Sequence, residues 1–326
     1  MNNYVEPIFD VAQIAHVEVL SNTPEESIKF YTEMLGMAVV DVIENQTFLR
    51  AYEENYKYSL IITESDYSGL GHVAWRTTSP QALERRVKAI EASGYGIGWQ
   101  NENYGHGPSY AFTTPDGHNM EVFWEVEYFD CPEENKSKLL SRFSKRPNRG
   151  VPVRRLDHIN LFSSNPKADT EFLVEVLGFK LREQIVDGEF VVGSWISASN
   201  LVHEIAFMAE PTGAKGKLHH ICYWYGIPQN LYEVGDLLKD HGYFIEIPPN
   251  KHGVSQAFCM YAYEPSGLRV ELFGDAGYLI FDPDWKTITW QMADVPGNGD
   301  TWIGAAFPDS FWTYGVGKIA EKVTNE

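Results

Sequence analysis

The chain has 326 residues, enough for about two domains with cores of their own, and 44% hydrophobic with 22% charged residues is a globular composition, neither disordered nor fibrous. Lys and Arg number 26 against 45 Asp and Glu, a net charge of −19 that repels nucleic acid and acidic membrane surfaces. Cys131, Cys222 and Cys259 are too scattered for a disulfide framework or a thiolate zinc site; with no Lys or Arg in the first twenty residues and no run of eighteen apolar ones, the expectation is a soluble cytoplasmic protein without membrane contact.

The first predicted strand, Ile14-Ala15-His16-Val17-Glu18-Val19-Leu20, carries a central histidine, and the helix that follows, Phe30 to Met37, is stopped by Gly36. A second strand, Leu70-Gly71-His72-Val73-Ala74-Trp75, precedes a helix over 79–94, and a closing strand after Pro115-Asp116-Gly117 holds Glu121. The series then repeats. Leu156-Asp157-His158-Ile159-Asn160-Leu161-Phe162 matches the first strand, Phe172 to Phe179 the first helix, and Leu218-His219-His220-Ile221-Cys222-Tyr223 the second strand. A helix over 227–242 and a closing strand with Glu271, after Pro265-Ser266-Gly267, complete the second copy.

These elements predict an α+β fold of four βαβββ modules in two tandem duplicated domains. The expected organisation is an N-terminal domain at 1–129, a linker at 130–153, a second domain at 154–275, and a tail at 276–326 that packs over one half. Lys136, Arg142, Arg146 and the other cations of the linker fit a solvated connection between acidic domains better than an anion site.

His158, His220 and Glu271 occupy matching places in the second half. Two imidazoles and a carboxylate suit non-haem Fe(II), because they hold one side of the metal and leave the other open. Histidines on apolar strands are commonly satisfied core residues, so the triad alone is a weak signal. Its surroundings are more specific: Asn250-Lys251-His252, seven residues, Met260-Tyr261, two residues, Glu264-Pro265-Ser266-Gly267, three residues, Glu271.

That spacing resembles the signature of the extradiol ring-cleaving dioxygenases of the catechol 2,3-dioxygenase type, in the vicinal oxygen chelate (glyoxalase-like) superfamily. Support comes from Leu156-Asp157-His158, Val202-His203-Glu204, Leu218-His219-His220 and the tail segment Asp282 to Trp290, so the resemblance spans nearly the whole chain. It implies that His158, His220 and Glu271 hold Fe(II), with Mn(II) a possible substitute. It further implies that His203 is an acid and base beside the metal, that His252 and Tyr261 hydrogen-bond the substrate oxygens, and that Asn160 and Trp195 line the pocket. The implied substrates are O2 and a catechol, opened beside one hydroxyl to a 2-hydroxymuconic-semialdehyde-type product, in a homo-oligomer, by family habit a tetramer. Strand alternation would turn His219 to the face opposite its neighbour.

The first half keeps His16, His72 and Glu121, with His106 in a Tyr-Gly-His-Gly setting. Ala111 stands at the place of Tyr261, and Ser59-Leu60-Ile61-Ile62, at the place of Val202-His203-Glu204, has no histidine, so the first-half residues are expected to be structural relics of duplication. Relatives that cleave acidic catechols carry an arginine just past the Thr-Ile-Thr-Trp segment. Here the stretch runs Gln291-Met292-Ala293-Asp294-Val295-Pro296-Gly297, which favours an uncharged catechol or alkylcatechol unless Lys251 supplies the cation. The alternatives are a metal-free module that sequesters a ligand, which needs no ligand triad or acid–base residues, and an isomerase or lyase, which would use carboxylates from both halves.

Overall fold

The computed structural model describes residues 7–295 and 301–317. The first module runs β1 (Val11–Ser21), α1 (Pro24–Lys29), β2 (Ala38–Ile43), β3 (Gln46–Arg50) and β4 (Leu60–Glu64); the second runs β5 (Gly69–Thr77), α2 (Pro80–Ser93), β6 (Gly96–Gln100), β7 (Ser109–Thr113) and β8 (Asn119–Phe123). The third comprises β9 (Arg155–Ser163), α3 (Pro166–Phe172), β10 (Lys180–Asp187), β11 (Phe190–Ser197) and β12 (Ile205–Ala209). The fourth comprises β13 (Lys217–Trp224), α4 (Gln229–Asp240), β14 (Ile245–Lys251), β15 (Phe258–Tyr263) and β16 (Arg269–Phe273). All four have the βαβββ order that the repeats predict.

Local chemistry sets the helix ends. The Ser79 hydroxyl accepts from the Ala82 amide at 3.0 Å to open α2, and Gly94, at φ +81°, closes it in the left-handed conformation. The Asn165 side chain caps α3 in the same way. In each half the first strands of two modules pair antiparallel at the centre: the first-half sheet is ordered β2-β3-β4-β1-β5-β8-β7-β6. The second-half sheet is β14-β15-β16-β13-β9-β12-β11-β10-β17, where β17 (Ile288–Gln291) is a tail strand lying parallel to β10.

Strand alternation sends one face of each central strand to the core and the other to the concave side. In β9, Ile159 and Leu161 enter the main core, whereas His158, Asn160 and Phe162 face the other way. That core joins both halves, with Phe30 against Tyr243 and Trp75 against Phe179. The tail covers the second half. Phe307 and Phe311, the latter on α5 (Asp309–Thr313), pack on Tyr261. Buried Arg269 pairs with Glu246 at 2.6 Å and donates to the carbonyls of His219, Ser310 and Tyr314, tying β13 to the tail. Among the described residues no helix is long and apolar enough to cross a membrane.

Candidate metal centre

Strand register assembles the second-half cluster. Cys222 of β13 lies opposite His158, Glu271 of β16 lies opposite Cys222, and Tyr261 of β15 lies opposite Glu271. Opposed residues share a sheet face, so His158, Glu271 and Tyr261 stand in one row, with His220 two positions along β13 beside them. His158 Nε2 is 2.8 Å from Glu271 Oε2, His220 Nε2 is 3.0 Å from the same oxygen, and the two nitrogens are 3.3 Å apart. All three residues are buried.

The outer nitrogens of both histidines are held, which turns the inner ones to the centre. His158 Nδ1 donates to Asp157 Oδ1 at 3.0 Å. His219 Nε2 donates to the Phe311 carbonyl at 2.7 Å, so its Nδ1 is free to accept from His220 Nδ1 at 2.6 Å. His220 Nε2 is then a bare lone pair beside a carboxylate oxygen. Such oriented donors fit a divalent metal.

His219 corrects the expectation drawn from strand alternation. A register shift between Leu218 and His220 interrupts the period of two, and the His219 ring packs on Phe162 and Phe311, in the same cluster as Tyr261. Neither the relay through His219 nor the outer role of Asp157 has a sequence signal beyond adjacency to a ligand.

Electrostatics favour the metal-binding forms of His220 and Glu271. Burial holds His220 down at about 4, against the pull of Glu271, so its imidazole is neutral. For Glu271 burial acts upward, but the neighbouring imidazoles of His220, His158 and His252 outweigh it and hold the carboxyl well below its usual range. Burial lowers His158, yet Asp157 and Glu271 raise it overall, consistent with a site that wants positive charge.

The remaining candidates surround this centre. His203, in the connection between β11 and β12, sits with its ring 4.1 Å from that of His158 and is held well below its ordinary value by burial and then by His158. Its Nδ1 is buried with no hydrogen-bond partner among the described residues. The backbone of neighbouring Glu204 bonds both Ile196 and Ile159, and its carboxylate takes the amides of Ala198 and Ser199, so the position of His203 is fixed from two strands. His252 Nε2 lies 2.9 Å from the Tyr261 hydroxyl and 3.2 Å from Glu271 Oε1. Asn160 and Trp195 line the same cavity as these residues. All eight residues singled out from the sequence therefore meet at one place: His158, Asn160, Trp195, His203, His220, His252, Tyr261 and Glu271.

Ile185, Val192, Met208 and Phe273 supply the apolar wall, and Trp312 of the tail joins it, none of them evident from the sequence. No Lys or Arg lines the cavity among the described residues. The Lys251 ammonium lies over the Phe258 ring, 5.7 Å from its centroid, rather than in the cavity. Of the tail stretch that lacks arginine, Pro296 and Gly297 lie outside the described residues.

In the first half, His16, His72, His106 and Glu121 also converge. Leu60 pairs with Val17 as Ile205 pairs with Ile159, so Tyr58 takes the place of His203, and Ala111 faces Glu121 where Tyr261 faces Glu271.

The family model described as Glyoxalase/Bleomycin resistance protein/Dioxygenase superfamily matches residues 13–122 and 155–272. A metapyrocatechase of Geobacillus stearothermophilus is 65% identical over 321 residues, 98% of each chain. A manganese-dependent 2,3-dihydroxybiphenyl 1,2-dioxygenase of Geobacillus genomosp. 3 is 35% identical over 300 residues, 90% of this chain and 94% of the relative. Among solved structures, homoprotocatechuate 2,3-dioxygenase of Brevibacterium fuscum, in an anaerobic complex with 3,4-dihydroxyphenylacetate, has a TM-score of 0.81 at 26% identity and covers 96% of this chain and 94% of its own.

Proposed function

The chain belongs to the glyoxalase/bleomycin resistance protein/dioxygenase superfamily and is an extradiol ring-cleaving dioxygenase, and we propose that its second half opens catechol or an alkylcatechol with Fe(II) held by His158, His220 and Glu271. The observation that carries this assignment is the convergence of two oriented imidazole nitrogens and Glu271 in a cavity that also holds His203, His252 and Tyr261. Two histidines and one carboxylate suit Fe(II), and Mn(II) shares the preference for such nitrogen and oxygen donors. When bound, the ion lowers the pKa of the catechol hydroxyls and offers open positions to both reactants.

The net reaction needs no outside reductant. Both atoms of O2 enter the substrate, the O–O bond and the ring C–C bond beside one hydroxyl break, and the ring supplies the electrons. His252 and Tyr261, within hydrogen-bond reach of each other, receive a substrate oxygen and hold the ring in one orientation. Trp195, Phe273 and Trp312 enclose it and limit water. His203 is neutral at working pH, so it can take a catechol proton and return it to oxygen as the O–O bond breaks. A module that only sequesters a ligand has no use for these groups. Family resemblance further suggests a homo-oligomer, which light scattering would test.

The deciding experiment strips the protein of metal, reloads it anaerobically with Fe(II) or Mn(II), and mixes it with catechol and O2. A yellow ring-opened semialdehyde formed only with metal is the expected result. Ring cleavage by the metal-free protein, or tight metal loading without a ring-opened product, would refute the assignment.

A further inference from the structure

We propose that the first half carries a second divalent-metal site, made by His16, His72, His106 and Glu121 and separate from the reaction centre. The four side chains come from β1, β5, the loop before β7, and β8. His16 Nε2 lies 2.9 Å from His72 Nε2, and Glu121 Oε1 lies 3.5 Å from His16 Nε2, 3.7 Å from His72 Nε2 and 3.4 Å from His106 Nε2. An ion with bonds of about 2.1 Å sets its donors about 3.0 Å apart in an octahedron and about 3.4 Å apart in a tetrahedron. These four spacings bracket both, and the ligand atoms of His16, His106 and Glu121 all lie within 4.8 Å of one another.

Outer hydrogen bonds again decide which nitrogens face inward. His106 Nδ1 donates to the Gly107 carbonyl at 2.9 Å, and His72 Nδ1 donates to Glu18 Oε2 at 2.8 Å, the carboxylate–histidine arrangement that orients metal ligands. Both Nε2 atoms therefore carry their lone pairs on the inner side, that of His72 lying 2.9 Å from His16 Nε2 and 3.7 Å from Glu121 Oε1, and that of His106 3.4 Å from the same oxygen. Glu121 is more than nine-tenths buried; Ser109 donates to its Oε2 at 2.7 Å, while Oε1 has no hydrogen-bond partner among the described residues. An orphaned carboxylate oxygen facing imidazole lone pairs is unfavourable until a cation sits between them. His72 is a quarter exposed, which gives an ion a way in.

Three imidazoles and a carboxylate match a first-row transition ion of the Zn(II) kind. This cluster lacks the acid–base residues that surround the second-half centre. The Tyr58 ring, at the place of His203, lies 5.0 Å from that of His16 with its hydroxyl donated to the Tyr104 carbonyl, and His106 stacks on Phe123 at 4.3 Å. Protein donors that tie three strands and a loop together, with no acid–base residue beside them, suit a structural ion and not a reactive one.

The test uses Co(II) and the full chain carrying His220→Ala and Glu271→Gln, which disable the second-half centre. Under anaerobic conditions this variant should bind one equivalent of Co(II), with visible d–d absorption, and melt at higher temperature when loaded. Adding His106→Ala, or separately Glu121→Gln, should weaken binding by at least about 100-fold. In parallel, the chain with its second half intact, saturated with Zn(II), should hold two equivalents and its Glu121→Gln variant one. Circular dichroism identifies any variant that has failed to fold, and the stoichiometry of the unmodified chain decides in that case. One equivalent in the unmodified chain, or Co(II) binding that survives both first-half substitutions, overturns the proposal. Ring cleavage is not read, so neither result depends on the reaction assigned to the second half.

Discussion

The cavity wall makes a quantitative demand on the substrate. Ile185, Val192 and Met208 line it, no Lys or Arg does so among the described residues, and Lys251 is engaged over Phe258. A ring bearing an acetate would bring its carboxylate against this wall without a partner. Removing such an anion from water costs several kcal/mol, and taking about 3 to 5 kcal/mol gives a loss of about 10² to 10⁴ in kcat/KM at tenfold per 1.4 kcal/mol. The assay compares 4-methylcatechol with 3,4-dihydroxyphenylacetate by O2 uptake at equal pH and ionic strength. The net charge of −19 also slows encounter with an anion, but that part is screened by salt, whereas the burial part persists. Val192→Arg, which adds a guanidinium to the wall, should narrow the gap. Equal kcat/KM for the two substrates, or a preference for the acid, would show that a cation outside the described wall serves the site and would refute the reasoning.

Replacing His158, His220 or Glu271 with Ala should remove bound metal and activity together, read by metal analysis beside turnover, because two remaining donors hold a labile divalent ion poorly. His203→Gln should retain metal and still bind catechol, while turnover falls by about 10² to 10⁴ in steps after O2 mixing; a variant that purifies without metal would make His203 a ligand. Burial pushes the Glu204 carboxyl up from 4.5 to about 7, against the donors from Ser199 and Ala198. The folded chain then keeps a proton that the unfolded chain releases, so stability falls as pH rises through that window, by at most about 3 kcal/mol; Glu204→Gln should flatten this part of the urea-unfolding profile, and an unchanged slope would exclude the residue as its source. Arg269→Met leaves Glu246 buried without its partner and should cost about 3 to 5 kcal/mol in denaturant unfolding, with the tail loosened first in hydrogen exchange.

The repeats disclosed the four modules because the signals that carry them are local: a strand-centred histidine, a helix stopped by glycine, a Pro-Ser-Gly or Pro-Asp-Gly turn before a glutamate. The family resemblance carried by the local spacing implied His158, His220, His252, Tyr261 and Glu271, four of them on strands and His252 just past the end of β14. Tertiary structure decided what depends on pairing between distant strands. The register break before His220 put His219 in the relay to Phe311, although the period of two sends it to the opposite face. Alignment of β4 on β1 gave Tyr58 the place of His203, and with the Lys251 ammonium over Phe258 no Lys or Arg lines the cavity among the described residues. The first-half cluster is the sharpest case. Its residues are visible in the sequence, but only the folded chain sets Glu121 Oε1, without a donor among the described residues, beside three imidazoles, because lone-pair direction follows from outer hydrogen bonds to Glu18 and Gly107 that no linear spacing encodes.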